Sequence, residues 1–364
     1  MLFPCVASAP LIMDEAATGV GGVSGRGLLR LASSDSNTLF PVQAIVYDRY
    51  GPPDVLELRD VEEPEVGETD VLVRVRAAAA NPLDWFAFTG TPYIARPGFG
   101  LTKPTGKRLG ADFAGVVEKI GSNVTRFQPG DEVYGTATGS FAELVSVGEE
   151  VSLAPKPTLL SFEQAAAVPV AALTALQALR DKGTVEAGQR VLVNGAAGGV
   201  GTFTVQIAKA LGAEVTAVCS SRNVEMVGAL GADQVVDYTR EDFTQGARRY
   251  DLMIDVAGSR PWSEVERVLR PGATVVIVGG PKTNRMLGPL GHMLQMTVGS
   301  VFASQKTTFF ISKENTDDLA TMTGLIESGK VTPFVEQTYP FEQVAEAMAY
   351  LGTGHARGKL VVTI

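Results

Sequence analysis

The stretch RVLVNGAAGGVG, from Arg190 to Gly201, decides the predicted fold. Its first residues, Arg190 to Val193, form the short apolar run that is typical of a buried strand. Glycines follow at once, and from Thr202 to Leu211 the apolar residues recur near a helical period. A strand, a glycine turn and a helix in this order are the context in which a glycine-rich loop binds a dinucleotide.

The loop departs from a strict G-x-G-x-x-G pattern because Ala196 takes the first glycine position. Glycines suit such a loop since a tight turn and a close approach to a pyrophosphate leave no room for a Cβ atom. We therefore predict that the loop holds the pyrophosphate at the N-terminus of the following helix. The predicted contacts are Gly195, Ala197, Gly198, Gly199, Val200 and Gly201. A glycine-rich turn in an ordinary α/β protein is the alternative interpretation.

Segments after the loop continue the alternation of strands and helices. Strand-like runs lie at Glu214–Cys219, 231–237, 251–256 and 273–278, and a helical stretch lies at 224–230. This β-α-β-α-β order predicts an α/β fold with a parallel, doubly wound sheet.

The composition narrows the function classes. The chain has 364 residues, 45% hydrophobic and 20% charged, which fits a globular protein with two domains. A net charge of −9 without a basic run argues against nucleic-acid or anionic-membrane partners. Two cysteines and two histidines give neither a disulfide framework nor a four-cysteine zinc site, and no apolar run has the length of a membrane span. We expect a cytoplasmic protein.

Four segments are predicted. Residues 1–41 lack a sustained period and are expected to be a disordered extension or the product of an upstream start. Residues 42–160 contain short strands separated by Gly and Pro turns, which favours a small barrel-like domain with one long insertion at 89–108. The predicted strands of this domain are 43–47, 56–60, 71–77, 113–120 and 141–146. Residues 161–303 form the nucleotide-binding domain, after a helix that Pro169 interrupts. Residues 304–364 return to the first domain through a last strand at 359–364.

Several motifs together resemble one family. They are Asn81-Pro-Leu-Asp84, Gly110-Ala-Asp-Phe-Ala-Gly-Val-Val117, Pro129-Gly-Asp-Glu-Val-Tyr134, Thr174-Ala-Leu176, the loop Gly195–Gly201, Leu211-Gly-Ala213, Tyr238 and Gly358-Lys359. This set resembles the zinc-independent quinone oxidoreductase branch of the medium-chain dehydrogenase/reductase superfamily. The resemblance implies a GroES-like β-barrel domain, a Rossmann domain and a cleft between them. It also implies a homodimer, sometimes a tetramer, with the last sheet strand near 296–302 pairing across subunits.

The resemblance also bears on metal. Zinc-dependent relatives place a cysteine near position 81 and a His-Glu pair in the glycine motif, where this chain has Asn81, Ala111 and Asp112. One carboxylate without cysteine or histidine is not a zinc site of the usual kind, so we expect no metal.

The cofactor prediction rests on the residues after the second strand. An NAD site would have Asp or Glu about 20 residues past the loop, whereas Ser220, Ser221 and Arg222 stand there. Hydroxyls and a guanidinium suit the 2′-phosphate of NADPH, since arginine gives charge-assisted contacts to phosphate. By resemblance, Tyr238 packs near the adenosine phosphate, and Lys359 is a weaker candidate for that pocket. A solvated surface charge is the alternative interpretation of Arg222.

At the reacting end, the resemblance places Thr174 on the nicotinamide; an ordinary helix residue is the alternative. Val256, Ala257 and Gly279 follow sheet strands and are expected to contact the cofactor. The candidate catalytic residues are Asn81, Asp84 and Tyr93. Asn81 could bind a substrate carbonyl or serve as a turn residue before Pro82, and Asp84 could instead cap a short helix at 85–88.

Other polar and aromatic residues near these motifs receive weaker predictions. Tyr134 is a second possible proton donor, Asp112 is expected to hold structure, and His292 is expected at the surface or in a loop. An apolar lid or core packing is open for Trp85, Met293 and Phe302.

These residues predict an NADPH-dependent, zinc-free oxidoreductase that transfers a hydride to a quinone or an α,β-unsaturated carbonyl. A zinc-free alcohol or ketone reductase and a non-catalytic NADPH-binding regulatory protein are the alternatives.

Overall fold

The computed structural model describes residues 41–280 and 286–364, which belong to one compact unit. The predicted extension at 1–41 lies outside the described residues except for Pro41. The strands are β1 (Val42–Val46), β2 (Glu57–Val61), β3 (Asp70–Ala79), β4 (Asp112–Ile120), β5 (Glu132–Thr136), β6 (Leu144–Gly148), β7 (Leu153–Pro155), β8 (Arg190–Asn194), β9 (Glu214–Cys219), β10 (Gln234–Asp237), β11 (Tyr250–Asp255), β12 (Leu269–Ile277), β13 (Lys306–Phe309), β14 (Val335–Pro340) and β15 (Lys359–Thr363).

The α-helices are α1 (Pro82–Thr89), α2 (Arg96–Phe99), α3 (Phe162–Ala166), α4 (Pro169–Gln177), α5 (Gly199–Ala210), α6 (Val224–Ala229), α7 (Trp262–Val265), α8 (Pro289–Gly299), α9 (Thr316–Glu327) and α10 (Val344–Gly352). A π-helical turn, Ala178–Lys182, continues α4. Within the part of the chain that the structure describes, no helix has the length and apolarity needed to cross a membrane.

The glycine loop stands in a six-stranded parallel sheet with the order β10-β9-β8-β11-β12-β13. Counted along the chain, this is the 3-2-1-4-5-6 order of a Rossmann sheet. The order reverses at β8, so a crevice opens at the carboxyl ends of β8 and β11, where such sheets bind ligands. The predicted α/β fold with a doubly wound parallel sheet is confirmed.

The predicted last strand at 296–302 is wrong. Pro289 begins the helix α8 instead, and its inward-facing residues His292 and Met296 are four apart, which is a helical spacing. The sixth strand is β13, which pairs with β12 at the edge of the sheet.

The second large sheet has the order β14-β15-β3-β4-β5-β7, with β6 paired to β3. The C-terminal strand β15 pairs antiparallel with β3, so this sheet contains strands from both ends of the described chain. Strands β5 and β7 were not predicted. Strands β1 and β2 form a separate ribbon, and Ile45 N of this ribbon donates to Phe141 O (2.8 Å) in the loop between β5 and β6.

Two short helices join the sheets, and Pro169 separates them as predicted. Their alanines form one hydrophobic core with Ala77 and Ala114 of the barrel-like sheet and with Val191 and Val193 of the parallel sheet. Because alanine is small, the helices approach both sheets closely. The parallel sheet therefore packs beside β3 and β4; Asn81 follows β3, and Asp112 is the first residue of β4.

Candidate active site

The backbone of the glycine loop requires its glycines at two positions. Gly195 has φ +90°, a region that residues with a side chain rarely adopt. A Cβ atom at Gly201 would collide with the carbonyl of Gly195 and the backbone of Ala196. A Cβ atom at Gly198, by contrast, would make only an ordinary contact, 3.7 Å from the Gly195 carbonyl oxygen, and Gly198 precedes α5 without a side-chain cap. The N-terminus of α5 thus has no side-chain cap, which fits the pyrophosphate of a dinucleotide.

Asp255, at the end of β11, ties the rims of three strands together. Its side chain accepts bonds from the Asn194 amide (2.8 Å) and from Gly258 N (2.9 Å), and lies 2.8 Å from His292 Nε2. Its backbone carbonyl accepts from Val278 N and Gly279 N. His292 is therefore a buried residue of α8, not a surface or loop residue as predicted, and sequence spacing gave no sign of this pair.

The predicted contacts at the strand ends stand at this rim. Val256 and Ala257 directly follow β11, and their amides donate to Asn194 O. At Gly279, which follows β12, a Cβ atom would collide with the Val256 carbonyl. The backbone segments that follow β8, β11 and β12 are therefore closely packed against one another.

The start of β15 lies against the glycine loop. Gly358 N donates to Ala197 O (2.8 Å), and a Cβ atom at Gly199 would lie 3.1 Å from Lys359 Cδ. The side chain of Lys359 then extends away from the loop into the barrel-like sheet. The two sheets are thus joined at the loop itself.

Lys359 ends in a buried polar cluster with Asn81 and Asp112. Its Nζ atom donates to Asn81 Oδ1 (2.6 Å) and to Asp112 Oδ2 (3.0 Å). The Asn81 amide in turn donates to Asp112 Oδ2 (3.0 Å) and to Ala79 O (3.3 Å). Lys359 is 3% exposed, Asn81 is 2% exposed, and Asp112 is fully buried. The cluster leaves Lys359 outside the adenosine-phosphate pocket in which it was predicted.

Asp112 fixes a helix as well as the cluster. Its second carboxylate oxygen accepts from Val170 N (2.9 Å) in the first turn of α4. The predicted holding role of Asp112 agrees with these contacts, but the sequence gave no hint of its cationic partner, because 247 residues separate Asp112 from Lys359.

Asp84 lies one turn into α1. The helix begins at Pro82 with Asn81 as its N-cap, so the predicted cap at Asp84 is wrong. Its carboxylate instead accepts from Asn81 N (2.8 Å), which is the returning half of a capping box. Burial raises the pKa of Asp84 to about 7, and the nearby Asp112 adds to this effect. Asp84 can therefore hold or release a proton near neutral pH.

A further carboxyl group, Glu314, lies within electrostatic reach of Asp112. Burial raises its pKa, while the bond from Thr136 Oγ1 (3.0 Å) opposes the shift. Glu314 was not predicted, since it stands in an irregular segment before α9.

The two predicted tyrosine donors have other surroundings. Tyr134 is buried, its hydroxyl contacts Leu319 O and Thr323 Oγ1 (both 2.9 Å), and burial raises its pKa to about 12. This tyrosine joins β5 to α9 and is not placed to donate a proton. Tyr93 is 40% exposed, and its ring lies 4.6 Å from the guanidinium of Arg96.

The hydroxyl of Thr174 faces the segment between β13 and α9. It donates to Val170 O (2.6 Å) and lies 3.0 Å from Ser312 Oγ. Its bond to the preceding turn is the ordinary behaviour of a helical threonine, and its half-buried position at the inter-sheet face is what a cofactor contact needs.

The predicted adenosine end lies at the carboxyl ends of β9 and β10. Ser220, Ser221 and Arg222 follow β9, and Arg222 donates to the backbone carbonyl of His355. Tyr238 follows β10 and is exposed. Ser221 is not free, because its hydroxyl donates to Asp237 Oδ2 (2.5 Å). Asp237 was not predicted at this end.

The three aromatic and apolar candidates for a lid separate. Trp85 packs edge-on against Phe88, and Met293 packs on a core cluster of the parallel sheet, so core packing is confirmed for both. Phe302 is fully exposed, which excludes core packing for it.

No group of three His, Cys, Asp or Glu residues suited to a metal ion occurs among residues 41–280 and 286–364. At the positions where zinc relatives hold their ligands, the polar partners are an amide, a carboxylate and the Lys359 ammonium.

Two family models match the chain. An alcohol dehydrogenase GroES-like domain matches residues 67–158, and a model described as zinc-binding dehydrogenase matches residues 230–362. The human NAD(P)H oxidoreductase RTN4IP1, mitochondrial, is 36% identical over 375 residues, with 91% of each chain covered.

Further relatives are named as oxidoreductases. The chloroplastic NADPH-dependent alkenal/one oxidoreductase of Arabidopsis thaliana is 36% identical, over 91% of this chain and 81% of its own. This chain belongs to the quinone oxidoreductase branch of the medium-chain dehydrogenase/reductase superfamily. The structure of Escherichia coli quinone oxidoreductase complexed with NADPH matches it with a TM-score of 0.74 and 26% identity, over 88% of this chain and all of that one. As a member of this branch, the chain is an oxidoreductase with a GroES-like barrel and a Rossmann sheet.

Proposed function

We propose that the chain is an NADPH-dependent reductase that needs no zinc and transfers a hydride to a quinone or an α,β-unsaturated carbonyl. One observation carries the proposal: the glycine loop and the Asn81–Asp112–Lys359 cluster meet through the start of β15, at the bond from Gly358 N to Ala197 O. A cofactor on the loop would therefore extend toward the cluster. Two relatives described above, a quinone oxidoreductase complexed with NADPH and an NADPH-dependent alkenal/one oxidoreductase, support the cofactor and both substrate classes.

The residues that would hold the cofactor lie along the carboxyl edge of the parallel sheet, except for Thr174 on α4. Ser220, Ser221, Arg222 and Tyr238 take the adenosine end, Gly195 and Ala197 to Gly201 take the pyrophosphate, and Thr174, Val256, Ala257 and Gly279 take the nicotinamide end. The bound cofactor supplies the hydride, and the protein supplies orientation and charge.

Asn81 acts at the reacting end together with its partners. Both hydrogens of its amide have protein acceptors, at Asp112 and Ala79, so the amide is fixed in one orientation. We propose that Asn81 holds the Lys359 ammonium in place through its Oδ1 atom, and that this ammonium supplies the positive charge that stabilises a developing oxyanion. In a buried place this charge acts more strongly than it would in water.

The proton that completes the reduction has two proposed sources, Asp84 and water. Asp84 is favoured by its pKa of about 7, since a catalytic acid works best when its pKa is near the working pH. Its contact with the Asn81 backbone places it beside the cluster. Tyr93, the third predicted catalytic residue, is a less favoured donor than Asp84, because it is 40% exposed and its ring stacks on Arg96.

The test is cofactor oxidation with three acceptor classes: a quinone, an enone and a saturated aldehyde. We expect turnover with the quinone or the enone, in dialysed enzyme and in enzyme treated with a chelator alike. Reduction of the aldehyde alone would favour the alcohol or ketone reductase. Binding of NADPH without turnover of any acceptor would favour the regulatory protein.

We also propose a homodimer in the cytoplasm. Within the described residues β13 pairs with β12 on one side only, and Phe302 and Phe309 near it are exposed, which suits a contact between apolar surfaces. Light scattering after chromatography should give twice the mass of one chain, and Phe302→Glu should lower it toward one. The human and Arabidopsis relatives are named as mitochondrial and chloroplastic, so cell fractionation is needed for the location.

A further inference from the structure

We propose that Asp237 sets the cofactor selectivity of this reductase: its carboxylate faces the adenosine ribose and opposes the 2′-phosphate that Arg222 favours. The inference rests on the proposed function, since it concerns the nucleotide site of that function. It predicts a preference for NADPH that is smaller than Ser220, Ser221 and Arg222 alone would give.

The register of the sheet places the carboxylate at this end. Strands β9 and β10 are parallel neighbours, and Asp237 is level with Cys219, the last residue of β9. The carboxyl ends of the two strands therefore open onto the same place. In a Rossmann site this is where an acidic residue binds the ribose hydroxyls of NAD. Here the acid comes from the third strand in chain order, not from the second.

The hydrogen bonds hold the carboxylate in one orientation. Its Oδ1 accepts from Thr239 N (3.0 Å) and from Thr239 Oγ1 (2.7 Å). Its Oδ2 accepts from Ser221 Oγ (2.5 Å), and this bond holds the pKa of Asp237 below its usual range. The negatively charged Asp237 carboxylate thus occupies the hydroxyl of Ser221, which was predicted to bind the 2′-phosphate.

Arg222, the positively charged residue at this end, already has a hydrogen-bond acceptor within the protein. Arg222 donates to the backbone carbonyl of His355, which follows α10. A 2′-phosphate bound to Arg222 would lie near the Asp237 carboxylate at the same end of the sheet. Ser221 could donate to this phosphate only by breaking its hydrogen bond to Asp237. A ribose hydroxyl, by contrast, can donate to the same carboxylate. The arrangement therefore weakens the discrimination between the two cofactors.

The experiment compares 2′,5′-ADP with 5′-AMP, which differ only in the 2′-phosphate, by calorimetry on the full chain. Asp237→Asn should raise the affinity ratio of the first ligand over the second about five- to tenfold, because one like charge near the phosphate is removed. Glu241→Gln is the matched control, since it removes an exposed negative charge four residues further on and should leave the ratio unchanged. Asp237→Ser, which keeps a small polar side chain, is the second variant in case the asparagine fails to fold.

The outcomes separate the two proposals. An unchanged ratio in both Asp237 variants, or an equal rise in Glu241→Gln, would overturn the role of Asp237 while leaving nucleotide binding intact. If neither ligand binds the wild-type chain, the proposed function itself fails. Because the ratio compares two ligands on one variant, a general loss of stability does not change it.

Discussion

The two ends of the predicted cofactor site differ in burial. At the adenosine end, Ser221 and Arg222 are exposed, and Asp237 is half-buried. At the reacting end, Asn81, Asp112 and Lys359 are buried and satisfy one another's hydrogen bonds. Changes at the exposed end should therefore alter which ligand binds, whereas changes at the buried end should alter the free energy of unfolding as well as turnover.

Lys359→Met should have the largest effect, because it leaves the Asp112 carboxylate buried without its cation. Loss of one partner of a buried ion pair typically costs about 3–5 kcal/mol of unfolding free energy. Urea unfolding measures this loss. The double variant Asp112→Asn with Lys359→Met should recover part of it, and no recovery would show that the charge pair is not the source.

Asp84→Asn should change the pH dependence of stability. The folded pKa of about 7 lies above the ordinary value of 3.8, so the protonated form stabilises the fold, and this contribution is lost as pH rises from about 4 to about 7. At 1.36 kcal/mol per unit of pKa, the loss is at most about 4 kcal/mol.

Unfolding of the wild type and of Asp84→Asn across this pH range gives the comparison. The free energy of the wild type relative to the variant should fall with rising pH and become flat above pH 7. Parallel curves would contradict the raised pKa.

Arg222→Glu should reduce NADPH binding about ten- to hundredfold and favour NADH, as expected for the loss of a charge-assisted contact of about 1.5–3 kcal/mol. Its unfolding free energy should change little, because Arg222 is exposed. Arg267→Glu, the same charge change at another exposed arginine, is the control. Cofactor titration followed by fluorescence measures the effect, and equal losses in both variants would count against a specific contact.

Tyr93→Phe should have the smallest effect. The ring, not the hydroxyl, lies over Arg96, and phenylalanine keeps a ring there. We expect kcat within about twofold of wild type, whereas removal of a proton donor typically costs 10²–10⁴-fold. Steady-state kinetics with the best acceptor decides, and a loss of that size would make Tyr93 the acid in place of Asp84.

The same contrast explains what the sequence could predict. The glycine loop and the residues after β9 are local patterns at a fixed spacing, and the structure places them at the carboxyl edge of a Rossmann sheet. The partners of Asn81 come from positions 112 and 359, and no local spacing marks them. Asp237 was missed for a related reason, because its place depends on the register between two strands.

Element boundaries follow the same rule. Most strands were found within a few residues, whereas the last strand that the family resemblance implied, at 296–302, falls on the end of α8 and the turn after it. The contact of His292 with Asp255 shows which face of α8 points inward. This contact joins residues 37 positions apart, so the local sequence of α8 does not reveal it.

The most direct test of the proposed reaction uses NADPH that carries deuterium at both C4 positions of the nicotinamide. The enzyme is given an enone, and the reduced product is analysed by mass spectrometry and NMR. We predict one deuterium on the carbon β to the carbonyl, delivered with stoichiometric oxidation of the cofactor. Deuterium on the carbonyl carbon, or cofactor oxidation without deuterium in the product, would contradict the proposal.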